Sequence, residues 1–112
     1  MSEELEFVTV ATLGQVPPGR VVCVDCSGTP VSLANVDGSI YAFAAYCTHQ
    51  LALLEEGELD GTAINCPWHA GSFDVVTGRV LSPPPTRALA TYPVQLLGND
   101  IQLSKSTVLA AQ

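Results

Sequence analysis

Apolar residues alternate with polar ones, or form short β-branched runs, along most of this chain. The runs RVVCVDC (20–26) and GTAINC (61–66) each predict a short strand. Three further stretches place a glycine-containing turn between apolar runs, which is typical of β-hairpins. They are VSLANVDGSIYAFAAY (31–46), turning at Asp37-Gly38, SFDVVTGRVLS (72–82), turning at Thr77-Gly78, and ATYPVQLLGNDIQLS (90–104), turning at Gly98-Asn99-Asp100.

Many short strands at this spacing predict an all-β fold, either a sandwich or a barrel. The segments QVPPGR (15–20) and SPPPTR (82–87) read as loops. Only LALLEEGEL (51–59) could hold a helical turn, and Gly57 limits its length. No repeat or long linker divides the 112 residues, so we expect a single domain, 1–112. We expect the tail KSTVLAAQ (105–112) to be frayed.

Composition and charge restrict the possible partners. The chain is 47% hydrophobic and 13% charged, with a formal net charge of −7. This charge argues against nucleic acid or an anionic membrane as partner, and it is compatible with a partner that presents a basic patch. The start MSEELEF is acidic, and no apolar run approaches the ~20 residues of a membrane span, so we expect no membrane association and a cytoplasmic location.

The candidate chemistry lies in two Cys/His pairs. His49 and His69 are the only histidines, and they follow Cys47 and Cys66 in the patterns C-x-H and C-x-x-H, with sixteen residues between His49 and Cys66. Two thiolates and two imidazoles can hold either one tetrahedral zinc ion or a [2Fe–2S] cluster. Classical zinc fingers keep like ligands close together, whereas here each loop supplies one of each kind. The spacing therefore favours the cluster.

The two ligand patterns, followed by GSFDVVTGRVLSPPP, resemble Rieske ferredoxins over roughly residues 31–95. The resemblance implies one Rieske [2Fe–2S] cluster per chain, with Cys47 and Cys66 on the inner iron and His49 and His69 on the outer, more exposed iron. It also implies a β-sandwich base with a small cluster-binding lobe, approximately 44–84, at one end. In that fold, Pro83-Pro84-Pro85 matches a loop that covers the cluster.

Departures from the family pattern indicate which branch is involved. Cytochrome bc-type Rieske proteins have a disulfide beside the cluster, but the matching positions here are Ala52 and Trp68. Those proteins also place Ser and Tyr, as hydrogen-bond donors to sulfur, where this chain has Gly71 and Phe73. Fewer donors stabilise the reduced, more negative cluster less, so we expect a low reduction potential. These departures favour the ferredoxin and oxygenase branch.

The resemblance implies a one-electron carrier and not an enzyme. Such a ferredoxin accepts electrons from a flavin-dependent, NAD(P)H-oxidising reductase and passes them to a terminal oxygenase, usually an aromatic-ring-hydroxylating one. No Ser/His/Asp set and no dinucleotide fingerprint occurs in the chain. Two alternatives remain: a Rieske small subunit of another redox complex, such as a nitrite-reductase-like enzyme, and a structural Cys₂His₂ zinc protein.

Other prominent residues have simpler interpretations. Cys23 and Cys26, three apart in a strand, point to opposite faces and are not expected to form a pair; we expect a buried structural role for Cys23 and a neutral one for Cys26. We expect Trp68 to be partly exposed. The aromatic residues assigned to the core are Phe43, Tyr46 and Phe73. Glu55, Glu56, Glu58 and Asp60 form either a solvated face or an acidic patch that steers a reductase.

Overall fold

The computed structural model describes residues 6–48, 52–67, 71–83, 85–105 and 108–109. Within these ranges two short 3₁₀ helices, Leu13–Gln15 and Leu54–Glu56, accompany twelve strands. The strands are β1 (Val8–Thr12), β2 (Val21–Cys26), β3 (Thr29–Val36), β4 (Ser39–Ala44), β5 (Leu59–Asp60), β6 (Ala63–Asn65), β7 (Ser72–Asp74), β8 (Val80–Ser82), β9 (Ala90–Tyr92), β10 (Val94–Leu97), β11 (Asp100–Leu103) and β12 (Val108–Leu109). The predicted all-β fold is confirmed. No helix in these ranges is long and apolar enough to cross a bilayer.

The strands form three antiparallel sheets. A three-stranded sheet has the order β1-β11-β10, and a five-stranded sheet has the order β12-β9-β4-β3-β2. A four-stranded sheet, β5-β6-β7-β8, is built entirely from residues 59–82. The last sheet falls inside the segment predicted to form the lobe.

The five-stranded sheet is covered on both faces. One face packs against the three-stranded sheet, where Val31 and Leu33 meet Ile101 and Leu103 in one core cluster. The other face carries Ala34, which packs with residues of the four-stranded sheet in a second core cluster. Because β3 lies between two cores, its residues 31–35 are all buried, as expected for a strand without a solvent-facing side.

Residues with positive φ close the hairpins. Asp37 and Gly38, with φ of 53° and 97°, join β3 to β4 at the predicted turn, and positive φ at both central positions suits the twist of a two-residue hairpin. Ser27 and Gly28, with φ of 50° and 91°, make an equivalent turn between β2 and β3 that the sequence analysis did not predict. The Thr77-Gly78 turn is confirmed, as β7 pairs with β8.

Three expectations were wrong. Tyr46 is 42% exposed and does not belong to the core, because it lies where the chain has left β4. The predicted hairpin at 90–104 is shorter: after Pro93, only β10 pairs with β11, whereas β9 joins the five-stranded sheet. The tail is not wholly frayed, since Val108 and Leu109 pair with β9.

The roles expected for Cys23 and Cys26 are reversed. They do face opposite sides of β2, but Cys26 is fully buried in the core between the two sandwich sheets, while Cys23 is partly exposed. Burial raises the pKa of both thiols, and the Glu55 carboxylate adds to the rise at Cys23. Such thiols remain protonated and unreactive at neutral pH. The two cysteines are therefore structural bystanders.

We expect Cys26→Ser to lower the free energy of unfolding by about 1–3 kcal/mol, because it places a hydroxyl in an apolar core. Cys23→Ser is the matched control and should change stability by less than about 0.5 kcal/mol, as is typical of more exposed positions. Urea unfolding followed by circular dichroism measures both. Equal losses in the two variants would contradict the assigned burial.

Gly57 generates a second prediction. It follows the second 3₁₀ helix, and a Cβ there would overlap the backbone carbonyl oxygen of Asn65, the last residue of β6. Its φ of −86° suits any residue, so the constraint is purely steric. We expect Gly57→Ala to destabilise the protein by about 1–3 kcal/mol. Gly14, with open space around its Cβ position, is the control, and Gly14→Ala should be neutral or slightly stabilising in the same denaturation assay.

Candidate metal centre

The first candidate ligand loop begins where β4 ends. The Leu54 amide donates a hydrogen bond to the Ala45 carbonyl at 2.8 Å, and Tyr46 bridges to Leu53. One step further along, the Cys47 amide donates to the Ala52 carbonyl at 3.0 Å. The two sides of the loop thus run as a narrow antiparallel pair up to Cys47 and Ala52.

The second candidate ligand loop lies between β6 and β7 of the four-stranded sheet and is closed by the same kind of backbone hydrogen bond. It begins after β6, and the Cys66 amide donates to the Gly71 carbonyl at 2.8 Å immediately before β7. In both loops a cysteine amide therefore bonds to the carbonyl five residues later and closes a loop of four residues. The enclosed positions are 48–51 and 67–70, and each set contains one of the two histidines.

The two cysteines are buried in the same core. Cys47 is 2% exposed and Cys66 is 4% exposed. Both belong to the apolar cluster that fills the space between the lobe and the five-stranded sheet, together with Ala52, Ile64 and Phe73. The structure therefore places in one core cluster two cysteines that lie nineteen positions apart in sequence.

The other half of the predicted ligand set lies outside the described residues. These two ligands are His49 and His69; Trp68 and Pro84, which are not predicted ligands, also lie outside the described residues. Among the described residues, no group of three or more potential metal ligands occurs, and the predicted set contributes only its two cysteines there. The prediction for the two histidines therefore stays a prediction.

A segment between β8 and β9 lies against the first loop. The Thr48 hydroxyl donates a hydrogen bond to the Arg87 carbonyl at 2.6 Å. Nearby, Pro85 is buried and Pro83 is exposed, so the proline run is partly packed into the protein. Sequence analysis missed the Thr48 contact because its acceptor is a backbone atom 39 residues away, which no sequence motif reveals.

Glu55 is a further residue whose role sequence analysis did not resolve. β2 is the edge strand of the five-stranded sheet. The Glu55 carboxylate accepts a hydrogen bond from the backbone amide of Cys23 at 3.2 Å, so it covers this open edge. The contact joins the short helix Leu54–Glu56, which follows the first ligand loop, to the five-stranded sheet. Glu56, Glu58 and Asp60 are exposed beside it.

The residues present fit an iron–sulfur centre. Thiolates are soft ligands that bind iron in such clusters, and the core cluster contains two cysteines that could supply them. Their apolar surroundings limit access of water, which the stability of such centres requires. Gly71 and Phe73, at the positions of the family's sulfur donors, are also buried. The Phe73 ring contributes apolar contact there and no hydrogen bond.

Comparisons with known proteins agree with this arrangement. Residues 6–93 match the family described as the Rieske [2Fe-2S] domain. The ferredoxin component of a naphthalene 1,2-dioxygenase system from Pseudomonas aeruginosa is 39% identical over 101 residues, which cover 90% of this chain and 97% of that protein. The biphenyl dioxygenase ferredoxin subunit from Pseudomonas sp. (strain KKS102) is 39% identical over 98 residues, covering 87% and 90%.

A solved structure gives the same result for the fold. It is described as a complex of reduced oxygenase and oxidized ferredoxin in carbazole 1,9a-dioxygenase, and its matching chain superposes with a TM-score of 0.86 at 33% identity. The match covers 92% of this chain and 96% of that one. The family, the relatives and the fold agree: this chain belongs to the Rieske [2Fe-2S] domain family, and its cofactor is one Rieske [2Fe–2S] cluster.

Proposed function

We propose that the protein is the ferredoxin of an aromatic-ring-hydroxylating dioxygenase system. In this role it accepts one electron from a flavin-dependent, NAD(P)H-oxidising reductase and delivers it to a terminal oxygenase. Cys47 and Cys66 hold the inner iron of its cluster, and His49 and His69 hold the outer one. We expect the protein to work in the cytoplasm.

One observation carries the proposal: two buried cysteines at the bases of two equally closed loops, in a chain that matches dioxygenase ferredoxins over nearly their full length. The related proteins are named as ferredoxin components and subunits, which are electron carriers and not catalytic enzymes. The cluster supplies one-electron chemistry and becomes more negative by one charge when reduced. The chain's own residues hold it, shield it from water and present it to partners.

The surroundings of the cysteines favour a low reduction potential. Leu54, Ile64, Phe73 and Leu89 are all fully buried in the same cluster as the two thiols. An apolar environment stabilises an added negative charge poorly, and none of these four side chains can donate a hydrogen bond to sulfur. Both effects disfavour the reduced state, so we expect a potential toward the lower end of the Rieske range.

The end of the molecule that bears the ligand loops is suited to a protein partner. The segments 38–54 and 61–73, which include both loops, contain no Asp, Glu, Lys or Arg. Tyr46 is 42% exposed there, and Leu81, in β8 just before the proline run, is 52% exposed. Exposed apolar side chains are typical of the centre of an interaction surface. We assign this surface to docking of the terminal oxygenase.

The acidic residues lie to one side of this surface. Glu58 and Asp60, with Glu55, border a cleft of about 580 Å³ between the lobe and β2, in which Arg20 is the basic residue. With a net charge of −7, the protein attracts a positively charged partner surface over a distance set by ionic strength. The segment 55–60 is therefore positioned to steer an approaching reductase or oxygenase.

The two alternatives have less support. The chain resembles a small subunit described as that of a NADH-dependent nitrite reductase from Mycobacterium tuberculosis, with a TM-score of 0.82. At 23% identity, this likeness concerns the fold alone. A structural zinc site would need the four ligands around one ion, whereas the family of this chain carries two bridged irons.

We expect the purified protein to contain two irons and two acid-labile sulfides per chain, since four protein ligands suffice for two irons only when sulfides bridge them. Iron and sulfide analysis with an absorption spectrum measures this. One zinc per chain without sulfide would contradict the proposal.

His69→Ala should lose the cluster or hold it unstably, because the outer iron keeps one protein ligand. An unchanged spectrum in that variant would exclude His69 as a ligand.

We expect reduction of the protein by a flavin-dependent ferredoxin reductase to slow several-fold between about 0.02 M and about 0.15 M salt, because salt screens the steering field. Glu58→Gln should lower the rate at low salt and weaken its salt dependence. Asp100→Asn removes the same charge from the three-stranded sheet and should have a smaller effect. Stopped-flow kinetics decide this. A rate independent of salt would indicate docking through the apolar surface alone.

A further inference from the structure

Thr48 occupies a special place in the first ligand loop. It is the residue between Cys47 and His49, and its hydroxyl donates to the Arg87 carbonyl at 2.6 Å. The amide of Cys47 closes the loop on itself at Ala52, but this bond joins two residues of the same loop. The Thr48 hydroxyl instead joins the loop to a distant part of the chain.

The acceptor belongs to a segment that is itself firmly held. We call residues 85–89 the strap. Both of its end residues, Pro85 and Leu89, are buried. The Leu89 amide donates to the Gly78 carbonyl at 2.8 Å, which attaches the strap to the turn between β7 and β8. One residue later the strap enters β9, which pairs with β4 in the five-stranded sheet. These contacts hold the Arg87 carbonyl in position, so it can serve as a stable acceptor for the Thr48 hydroxyl.

The described part of the second ligand loop offers no equivalent hydroxyl. The residue after Cys66 is Pro67, which has no hydroxyl and no amide hydrogen. Its ring restricts the backbone instead. Among the described residues, the position after the ligand cysteine is therefore restricted in different ways: by the Pro67 ring in the second loop and by a hydrogen bond to the strap in the first.

We propose that Thr48 is a positioning residue that latches the first ligand loop to the strap and thereby keeps the cluster shielded from water. The inference rests on the proposed assignment of Cys47 as a ligand. Without the latch the loop moves away from the strap and admits water to the centre. Water stabilises the more negative, reduced cluster, so the reduction potential rises, and the iron becomes more accessible to chelators.

Thr48→Val tests the latch, because valine keeps the branched shape of threonine and lacks the hydroxyl. We expect iron release to a chelator to become about fivefold faster, which corresponds to about 1 kcal/mol and is typical of one lost hydrogen bond. We also expect the potential measured by voltammetry to shift upward. Thr48→Ser retains the donor and should restore both properties. Thr62→Val removes a threonine hydroxyl from an exposed turn of the lobe and should match the wild type.

Wild-type release rate and potential in Thr48→Val would overturn the proposal, as would a Thr62→Val variant that changes in the same way. If Thr48→Val assembles no cluster, Thr48→Ser distinguishes the two possible causes. Normal cluster content and a wild-type potential in Thr48→Ser support the latch. Loss of the cluster in Thr48→Ser shows that the methyl group is required and overturns the proposal. A wild-type protein without iron and sulfide would instead refute the proposed function, so the two failures are distinct.

Discussion

The candidate metal centre depends on two backbone hydrogen bonds, from the Cys47 amide to the Ala52 carbonyl and from the Cys66 amide to the Gly71 carbonyl. Each bond closes a four-residue loop and holds a cysteine at its base, where the side chain enters the apolar core. Bonds between buried backbone groups are costly to break, because each partner would lose its hydrogen bond away from water. The placement of the thiols is therefore a property of the backbone.

The five-stranded sheet supports this arrangement from below. Strand β4 leads directly into the first loop. The face of the five-stranded sheet that points away from the two loops packs on the three-stranded sheet. Around the thiols, Phe73 and Leu89 complete an apolar wall. The candidate centre thus combines a rigid base with a low-polarity interior. A one-electron carrier needs this combination, since its geometry should change little between redox states.

Much of the fold could be predicted because its turns are encoded locally. Asp37-Gly38 and Thr77-Gly78 lie between apolar runs and adopt the expected turns. Sheet membership could not be predicted in the same way: β9 joins a different sheet from β10, although only Pro93 separates them. The burial of Cys23 and Cys26 could not be predicted either. The alternation of side chains along β2 places the two cysteines on opposite faces of the sheet, but it does not show which face is more completely buried.

At the site, the Cys/His spacing identified the candidate ligands before any geometry was available, and the family and cofactor it indicated are confirmed. The individual ligand assignments stay predictions. Contacts between distant segments were beyond sequence analysis, because the acceptor of the Thr48 hydroxyl and the donor to the Glu55 carboxylate are backbone atoms. Backbone atoms are the same at every position, so the sequence does not mark them as partners.

The pairing of β1 with β11 has a consequence for biosynthesis. Val8 lies opposite Leu103, so the three-stranded sheet closes only when nearly the whole chain is available. The lobe sheet, by contrast, is assembled from residues 59–82 and consists of contacts between near neighbours in sequence. Short-range contacts form faster than long-range ones. On the ribosome, the lobe sheet can therefore form early, and closure of the sandwich by the first and eleventh strands is the late step of folding.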